Sequence, residues 1–414
     1  MSTFAIVDFS EFILQHSADD PAGLALSRDR FRDFPEFDLA LCTLEARRKL
    51  RGKLPSWLEV PSLHFPYPLA AEQCSSEETA AYKAMLLTSP GDMHSSLCSI
   101  ADLTGGLGVD SWAFAKAGLE VLYNDMRPEL VEAARHNFAE LGIRNVRFSC
   151  AEVKSGSIDT ILGDFKADAV FLDPARRDSA GGKVFRIADC SPDVTALLPE
   201  LFSHVRFVLV KLSPMLDISL GAAELGRCVR EVHCVGAAGE CKELLFLLDR
   251  EHDGDYGITV YEDGGRFSFN PSDEAGSVAC YSPSCEAGSW LFAPGKALLK
   301  SGCFKLISQR FGLAKVGVNA HFYLADDTLA ELGPLGKWFR VLEAVPLDKR
   351  GIRDIGRRYP GADVTARGVH ISSEELKKRL GSASGSGSAA GGAVHVFAVH
   401  HDSSGKNLLI VAGS

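Results

Sequence analysis

The sequence contains no apolar run that approaches about 18 residues, so it predicts no membrane-spanning helix. Its eleven cysteines are odd in number and include no C-x-x-C pair, which disfavours a disulfide framework. The closest two, Cys280 and Cys285, lack a second pair, so we interpret them as buried thiols and predict no metal site. The N-terminus has no basic segment of a secretory signal, and we therefore expect a cytoplasmic protein.

An overall excess of basic charge is also absent, because 44 Lys and Arg residues stand against 54 Asp and Glu residues. Composition alone therefore does not indicate nucleic-acid binding. Residues 336–380 reverse this balance, with eleven basic residues and six acidic ones. The length of 414 residues exceeds one typical hydrophobic core and predicts several domains.

The most informative stretch is residues 99–110, SIADLTGGLGVD, in which a short apolar strand runs into a glycine-rich turn and then a helical pattern. The third glycine of a dinucleotide-binding fingerprint is missing, because Ser111 stands in its place. Asp102, upstream of the glycines, would repel a pyrophosphate and attract an ammonium group. The stretch resembles motif I of the class I S-adenosylmethionine-dependent methyltransferases. The alternative is a glycine-rich loop of another α/β protein.

Short apolar strands alternate with helices between residues 99 and 250, a pattern typical of a parallel sheet with helices on both faces. The segment AAGEC that separates the last two strands is too short for a crossover helix. We therefore predict that an antiparallel hairpin closes the sheet, as it does in the class I methyltransferases.

Ligands bind outside the carboxyl ends of the strands in such sheets. Asp125 ends the second strand, where a carboxylate can accept hydrogen bonds from both ribose hydroxyls or, alternatively, cap the next helix. Ala151 and Glu152 follow the third strand, where a backbone N–H and a side-chain acceptor can bind the adenine edge. The segment EQCSSEETAAYK predicts a helix capped by Ser75 or Ser76, which either covers the cofactor or simply connects two elements.

The fourth strand ends in FLDPARRD, which resembles the (D/N)-P-P-(Y/F/W) motif of methyltransferases that modify exocyclic amines. In that motif the acid or amide and the proline carbonyl accept hydrogen bonds from the amine and align it for displacement. Asp173 and Pro174 match, whereas Arg176 replaces the aromatic residue. Arg176 and Arg177 could stack on a base, pair with phosphate or only anchor a loop. After the next strand, KLSPMLD lacks the nucleophilic cysteine of the C5-uridine methyltransferases.

The flanking regions follow other patterns. Residues 1–90 predict helices, and the basic end of residues 37–53 indicates either a nucleic-acid contact or a solvated helix end. Residues 251–330 predict a hairpin with its turn at 263–265, a helix at 295–311 and a strand near 319–324. Residues 331–414 follow the order β-α-β-α-β-β and contain a Gly/Ser tract, GSASGSGSAAGG, interpreted as a mobile loop without chemistry.

Taken together, DLTGGLGVD, EQCSSEETAAYK, FLDPARRD, KLSPMLD and GECKELLFLL resemble a bacterial family of predicted RNA methyltransferases with a THUMP-like C-terminal domain. The resemblance implies an α/β fold: a Rossmann-like class I methyltransferase domain at residues 91–250 that follows an N-terminal helical region, residues 1–90. It also implies two α+β domains, one ferredoxin-like at 251–330 and one THUMP-like at 331–414. The implied cofactor is S-adenosyl-L-methionine. The implied partner is RNA, because THUMP domains deliver RNA to catalytic domains.

We therefore predict methylation of a base nitrogen of tRNA or rRNA, with the acceptor positioned by Asp173 and Pro174. The predicted cofactor-binding residues are Asp102, Thr104, Gly105, Gly106, Gly108, Asp110, Asp125, Met126, Ala151, Glu152, Gln73 and Ser76. The predicted RNA-binding residues are Arg176, Arg177, Lys349, Arg350, Arg353, Arg357 and Arg358. The alternatives are a methyltransferase of proteins or small molecules and a non-catalytic RNA-binding protein.

Overall fold

The computed structural model of the chain describes residues 8–89, 97–176, 186–381 and 394–413, with Arg176 described by its main chain alone. The chain forms two compact units. The first runs to Arg230 and includes residues 245–254, and the second comprises residues 231–244 and those from Asp255 onward. Within the described residues no helix is both long enough and apolar enough to cross a membrane. Arg177 and all but the first residue of the Gly/Ser tract lie outside the described residues.

The first unit begins with a helical region, as predicted. Its helices are α1 (Phe9–Gln15), α2 (Pro21–Leu26), α3 (Phe37–Lys49), α4 (Pro55–Leu58), α5 (Pro68–Gln73) and α6 (Glu77–Thr88). Three of them begin with proline, whose fixed φ suits the first helical position and whose missing N–H has no helical partner there anyway. Phe12, Phe37 and Leu44 are buried in one apolar cluster, which joins α1 to α3.

Basic residues at the end of α3 and just after it bind other parts of the same region. Arg47 donates hydrogen bonds to the carbonyl oxygens of Leu58 (2.5 Å) and Val60 (3.1 Å). Lys53 donates to carbonyl oxygens at the end of α5, including that of Cys74 (3.5 Å). Because these cations satisfy main-chain acceptors that helix ends leave unpaired, a structural role is favoured over a nucleic-acid contact.

A parallel sheet follows in the first unit. The strands between residues 99 and 212 are β1 (Ser99–Asp102), β2 (Glu120–Asn124), β3 (Val146–Ser149), β4 (Ala169–Leu172), β5 (Ala175–Arg176), β6 (Cys190–Ser191) and β7 (Phe207–Leu212). The strand order is β7-β4-β1-β2-β3, and all these neighbours are parallel. The short strands β5 and β6 pair only with each other, in antiparallel orientation. Every residue of β1 and β4 is buried, which explains their continuous apolar character.

Helices supply the long connections that parallel strands require. They are α7 (Val109–Lys116), α8 (Pro128–Glu140), α9 (Ile158–Leu162), α10 (Val194–His204) and α11 (Ile218–Leu225). The carboxylates of Asp193 and Asp217 accept N–H groups at the starts of α10 and α11. These two helices therefore begin at residues that the sequence marks as caps.

The predicted closing hairpin is confirmed. Strands β8 (Val229–Ala237) and β9 (Glu240–Asp249) are joined by Ala238 (φ 52°) and Gly239 (φ 75°). Two successive residues with positive φ are the signature of the tight turn that joins antiparallel strands. In the strand order β9 lies between β8 and β7. The division between the units passes through this hairpin, because residues 231–244 belong to the second unit.

The second unit continues from β8 with a second hairpin, β10 (Gly257–Glu262) and β11 (Gly265–Phe269). Strand β10 pairs in parallel with β8 and in antiparallel register with β11. Asp263 (φ 48°) and Gly264 (φ 81°) form the turn, so the predicted hairpin is confirmed.

An eight-stranded sheet forms the rest of the second unit. Its strands are β12 (Cys280–Tyr281), β13 (Trp290–Pro294), β14 (Ala314–Lys315), β15 (Tyr323–Ala325), β16 (Gly336–Pro346), β17 (Asp363–Arg367), β18 (Val394–His401) and β19 (Lys406–Gly413), in the order β12-β14-β15-β13-β16-β19-β18-β17. The helices of this unit are α12 (Pro271–Gly276), α13 (Lys296–Lys300), α14 (Lys305–Phe311), α15 (Lys349–Arg358) and α16 (Ser373–Gly381). The single helix predicted at 295–311 is wrong: it is divided into α13 and α14, because Gly302 adopts a φ of 79°.

Both faces of this sheet are apolar. Along β18, Phe397 and Val399 belong to one buried cluster, whereas Val396 and Ala398 belong to another. The alternation follows from the two-residue period of a strand. Ile355 and Leu376 join the second cluster from α15 and α16. The helices thus cover one face of the sheet, and their opposite faces remain for solvent or a partner.

Candidate active site

A cavity of about 640 Å³ lies in the first unit and is lined by residues that follow β1, β2, β3 and β4, by Lys211 near the end of β7 and by residues in and just after α5. Its size is within the range of small-molecule pockets. The predicted cofactor-binding residues on its wall are Gln73, Thr104, Gly105, Gly106, Asp110, Asp125, Met126, Ala151 and Glu152. The cavity therefore gathers residues that lie far apart in the sequence, at the sheet edge where doubly wound folds bind ligands.

The glycine turn is shaped by close packing against β2. A Cβ on Gly105 would lie 2.2 Å from Cε2 of Tyr123, so only glycine fits there. Gly108 has a φ of 87° and stands just before α7, where a Cβ would meet the ring of Phe138 at 2.9 Å. The Tyr123 hydroxyl donates a hydrogen bond to the Gly106 carbonyl oxygen at 2.6 Å. Tyr123 thus packs against the turn and stabilises it. Gly108 does not line the cavity, but its positive φ is needed for the chain to enter α7.

Asp102 differs from expectation. Its carboxyl group is buried, with 1% of the residue exposed, and accepts hydrogen bonds from Ser111 Oγ (2.6 Å) and Thr104 N (3.1 Å). Burial raises its pKa to about 8, so the group is mainly neutral at pH 7. The prediction that Asp102 is an ionised partner for the ammonium group of the ligand is therefore corrected. Asp102 instead stabilises the glycine turn through its hydrogen bonds to Thr104 and Ser111.

A buried ion pair connects the N-terminal helical region to the cavity wall. Lys83, fully buried on α6, places Nζ 3.1 Å from Oδ1 of Asp110, and Ser75 Oγ donates to Oδ2 of Asp110 at 2.8 Å. Ser75 and Asp110 both line the cavity. Ser76 is instead the cap of α6, because its hydroxyl accepts the N–H of Thr79 at 3.2 Å. Ser76 is not among the residues that line the cavity, so its position does not support the predicted contact with the cofactor.

Asp125 lies where the sequence places it, at the end of β2. Its Oδ2 accepts the N–H of Gly106 at 3.0 Å, and its Oδ1 accepts the N–H of Arg127 at 2.9 Å. The carboxylate therefore joins the glycine turn to the start of α8. The carboxylate lines the cavity, as ribose binding would require, and its bond to the Arg127 N–H lies just before α8 without capping that helix.

Asn124 is a site residue that sequence reasoning missed. Its buried amide donates to the carbonyl oxygens of Leu103 and Ala151, both at 3.0 Å, and accepts the N–H of Ala151 at 3.1 Å. It therefore holds together the loops after β1, β2 and β3. The Ala151 N–H, expected to bind an adenine edge, is already used by Asn124, so this expectation is corrected. Glu152 lines the cavity with a side chain 59% exposed.

Asp173 lies on the cavity wall at the end of β4, with its side chain 35% exposed. Its main-chain N–H donates to Thr104 Oγ1 at 2.7 Å, and its Oδ2 accepts a hydrogen bond from Lys211 Nζ at 2.5 Å. Lys211 is the first residue of KLSPMLD, and no pattern in the sequence marked it as a site residue. Pro174 is buried directly after Asp173. Ala175 also lines the cavity, whereas the side chain of Arg176 is not described.

The predicted basic surface lies on α15 in the second unit. Lys349, Arg350, Arg353 and Arg357 are exposed and recur at helical spacing on one side of the helix. Arg358 differs: its guanidinium binds the carboxylates of Glu343 and Asp354 within the unit. We refer to the first four residues as the α15 basic stripe.

The cysteines form no ligand cluster among the described residues, where no group of three or more potential metal ligands is present. Cys280 is exposed and Cys285 is partly buried, so the interpretation as buried thiols is wrong for Cys280, which lies in the short strand β12. Cys74 lines the cavity, and burial raises its pKa to about 11.

Comparison with known proteins supports the interpretation of the cavity as a cofactor site of a methyltransferase. A ferredoxin-like domain model matches residues 290–332, and a THUMP-domain-like model matches residues 336–413. An uncharacterised S-adenosylmethionine-dependent methyltransferase of Mycobacterium tuberculosis is 26% identical over 317 residues, which is 75% of this chain and 79% of the relative. The crystal structure of an inferred methyltransferase from Porphyromonas gingivalis W83 is 26% identical and superposes with a TM-score of 0.81, covering 100% of this chain and 99% of that one.

A local similarity concerns a 23S rRNA (uracil(1939)-C(5))-methyltransferase of Shewanella sediminis, which is 41% identical over 78 residues, 19% of this chain and 17% of the relative. The cavity suits S-adenosylmethionine in volume, and Gly105 and Gly106 of the glycine turn form part of its wall. Fold, cavity and relatives agree that the chain is an S-adenosylmethionine-dependent methyltransferase with a THUMP-like domain.

Proposed function

We propose that the protein methylates a base nitrogen of RNA, either tRNA or rRNA. The observation that carries the proposal is the carboxylate of Asp173, which lies at the end of β4 on the same cavity wall as the glycine turn. S-adenosylmethionine supplies an activated methyl group, so the task left to the protein is alignment of the acceptor. An acid at this position can align an N–H group by accepting its hydrogen bond.

The cofactor roles follow from the position of each group on the wall. Thr104, Gly105 and Gly106 would hold the methionine end of the cofactor through the turn, and Asp125 its ribose hydroxyls. Asp110, in the first turn of α7, also lies on the wall and would contribute to the cofactor site, although its carboxylate is already paired with Lys83 and Ser75. The remaining wall residues, Gln73, Met126 and Glu152, would bound the adenosine end.

The acceptor would meet Asp173 and the main chain of Pro174. Oδ1 of Asp173 accepts no hydrogen bond from the described residues and is therefore available to an N–H donor. A covalent mechanism through carbon 5 of uracil is disfavoured, although the Shewanella relative carries that activity in its name. Such a mechanism needs a thiolate, and Cys74 on this wall is a protonated thiol at neutral pH because burial raises its pKa to about 11.

The RNA part of the proposal depends on the α15 basic stripe and on the THUMP-domain-like match over residues 336–413. Four exposed cations on one side of a helix form an electrostatic footprint for phosphates. Arg176, Arg177 and Arg358 remain proposed contributors, with Arg358 weakened by its two carboxylate partners.

Modified-nucleoside analysis tests the reaction. RNA from a deletion strain and its parent is digested and compared by mass spectrometry, and the purified protein is incubated with methyl-labelled cofactor and RNA, protein or metabolite extract from the deletion strain. We expect a base-methylated nucleoside that is lost in the deletion strain and restored in vitro. Label in protein or metabolites alone would favour the other methyltransferase class, and no label in any fraction would favour the non-catalytic alternative.

RNA binding is tested by its salt dependence. The variant Lys349→Gln/Arg350→Gln/Arg353→Gln/Arg357→Gln removes the α15 basic stripe. A control of equal charge replaces four exposed residues elsewhere, Arg30, Arg51, Arg144 and Lys166. We expect the stripe variant to lower the slope of log affinity against log salt by about 3, since each lost phosphate contact lowers it by roughly 0.7 to 0.9. Equal slopes in the two variants would contradict the proposal.

A further inference from the structure

Lys211 occupies a position that no cofactor or RNA role accounts for. It is the fifth residue of the six-residue strand β7, and its side chain is 13% exposed. Lys211 and Asp173 lie on the same cavity wall, and the parallel pairing of β4 with β7 brings the ends of their strands together. A lysine held this far from solvent requires an acidic partner, and Asp173 provides it.

Asp173 is held through both its main chain and its side chain. Thr104 Oγ1 accepts its main-chain N–H at 2.7 Å, and Lys211 Nζ donates to Oδ2 at 2.5 Å. The terminal torsion of an aspartate is broad, so an unpaired carboxylate would sample many orientations. A charge-assisted hydrogen bond on one oxygen selects a single orientation and directs the other oxygen to a fixed point.

This arrangement converts a two-oxygen acceptor into a one-oxygen acceptor. The motif that Asp173 and Pro174 resemble accepts asparagine as well as aspartate, and an amide offers one oxygen only. With Oδ2 bound to Lys211, Asp173 presents Oδ1 alone to the cavity among the described residues. The site therefore suits an acceptor N–H presented at one angle, such as one of the two N–H groups of an exocyclic amine or the single N–H of a ring nitrogen.

We propose that Lys211 is a positioning residue, which clamps Oδ2 of Asp173 so that Oδ1 aligns the acceptor N–H for methyl transfer. The nitrogen lone pair would form the new C–N bond as the C–S bond of the cofactor breaks, S-adenosylhomocysteine would leave, and the displaced proton would pass by way of Oδ1 to solvent. The inference deepens the proposed function and depends on it for the identity of the acceptor. Lys211 acts through Asp173, so its removal disturbs alignment more than binding.

Kinetics separate this role from a structural one. Lys211→Met and Lys211→Arg are compared with Lys242→Met, which removes the exposed ion pair with Glu240. We expect Lys211→Met to lower kcat on the order of 10²-fold, the effect of a misplaced reacting group. The KM for RNA and the Kd for S-adenosylhomocysteine should stay within about 3-fold, and Lys211→Arg should recover part of kcat because it restores the charge-assisted bond. A loss confined to KM, or an unchanged kcat, would overturn the inference.

Crystal structures of the wild-type protein and of both Lys211 variants, each with S-adenosylhomocysteine, test the clamp independently of the acceptor. The inference requires that the Asp173 carboxylate turns or becomes disordered in Lys211→Met and keeps its orientation in Lys211→Arg. An unchanged carboxylate in Lys211→Met overturns it. If the wild-type protein methylates no RNA, the proposed function fails, and the crystal structures of the two variants still show whether Lys211 orients Asp173.

Discussion

The most direct test of the electrostatics beneath the glycine turn is Asp102→Asn. Asparagine keeps the shape and both hydrogen bonds, since its oxygen can accept from Thr104 N and its amide can donate to Ser111 Oγ. The change removes one property of Asp102, its ability to ionise. Any pH-dependent difference between the variant and the wild-type protein therefore reports on this carboxyl group.

The magnitude follows from the pKa of Asp102, which burial raises from an ordinary value of 3.8 to about 8. Between these two values the folded protein keeps a proton that the unfolded chain releases. The free energy of unfolding therefore decreases as pH rises, by about 1.4 kcal/mol per pH unit for one group. The contribution is complete below the unfolded pKa and lost once pH exceeds about 8. From pH 5 to pH 7 the wild-type protein should lose about 3 kcal/mol relative to Asp102→Asn.

Urea titrations at pH 5, 6, 7 and 8 and constant ionic strength measure this difference, with Asp33→Asn as an exposed control. We expect the free energy of unfolding of the wild-type protein to decrease relative to that of Asp102→Asn as pH rises. Parallel pH profiles would refute the reasoning, because they would show that Asp102 is ionised in the folded protein at neutral pH. The carboxylate would then be available as the charged partner of an ammonium group, as the sequence first indicated.

Two further predictions concern the cavity wall. Gly105→Ala should abolish binding of S-adenosylhomocysteine in isothermal titration calorimetry, because the new Cβ would lie 2.2 Å from the ring of Tyr123. Gly276→Ala is the control, since its Cβ would meet nothing within 4 Å, and similar affinities in both variants would contradict this. Lys83→Met should lower the free energy of unfolding by about 3 to 5 kcal/mol in urea titrations, because it leaves the Asp110 carboxylate buried without its cation. An unchanged unfolding midpoint would show that the ion pair contributes nothing to stability.

Much of the architecture could be predicted because it depends on local rules. The short segment AAGEC between the last two predicted strands allows only an antiparallel hairpin, and in the structure Ala238 and Gly239 form its turn. Asp125 and Asp173 lie on the cavity wall because the carboxyl ends of parallel strands meet at one edge of the sheet. These inferences need only strand order and chain length, both of which a sequence displays.

The remainder depends on burial and on contacts between distant segments. The ionisation of Asp102 could not be inferred, because its neighbours decide how far it is desolvated. Asn124 reads as an ordinary polar residue at a strand end, yet it binds two other loops. The contact of Lys211 with Asp173 depends on the pairing of β4 with β7, which the sequence does not display. The choice of Ser75 over Ser76 required the first residue of α6, and helix boundaries are the least predictable feature of a sequence.

The division of the chain within the β8–β9 hairpin has a practical consequence for anyone who wishes to isolate the catalytic half. The backbone passes between the two units at residues 230/231, 244/245 and 254/255, so a single scission cannot release either one intact. A fragment that ends at residue 250 would contain β8 but lack β10, which pairs in parallel with residues 231–236 of β8. The unpaired edge of β8 would favour aggregation. Expression trials should therefore use the full chain, or a fragment that contains both the β8–β9 and the β10–β11 hairpins.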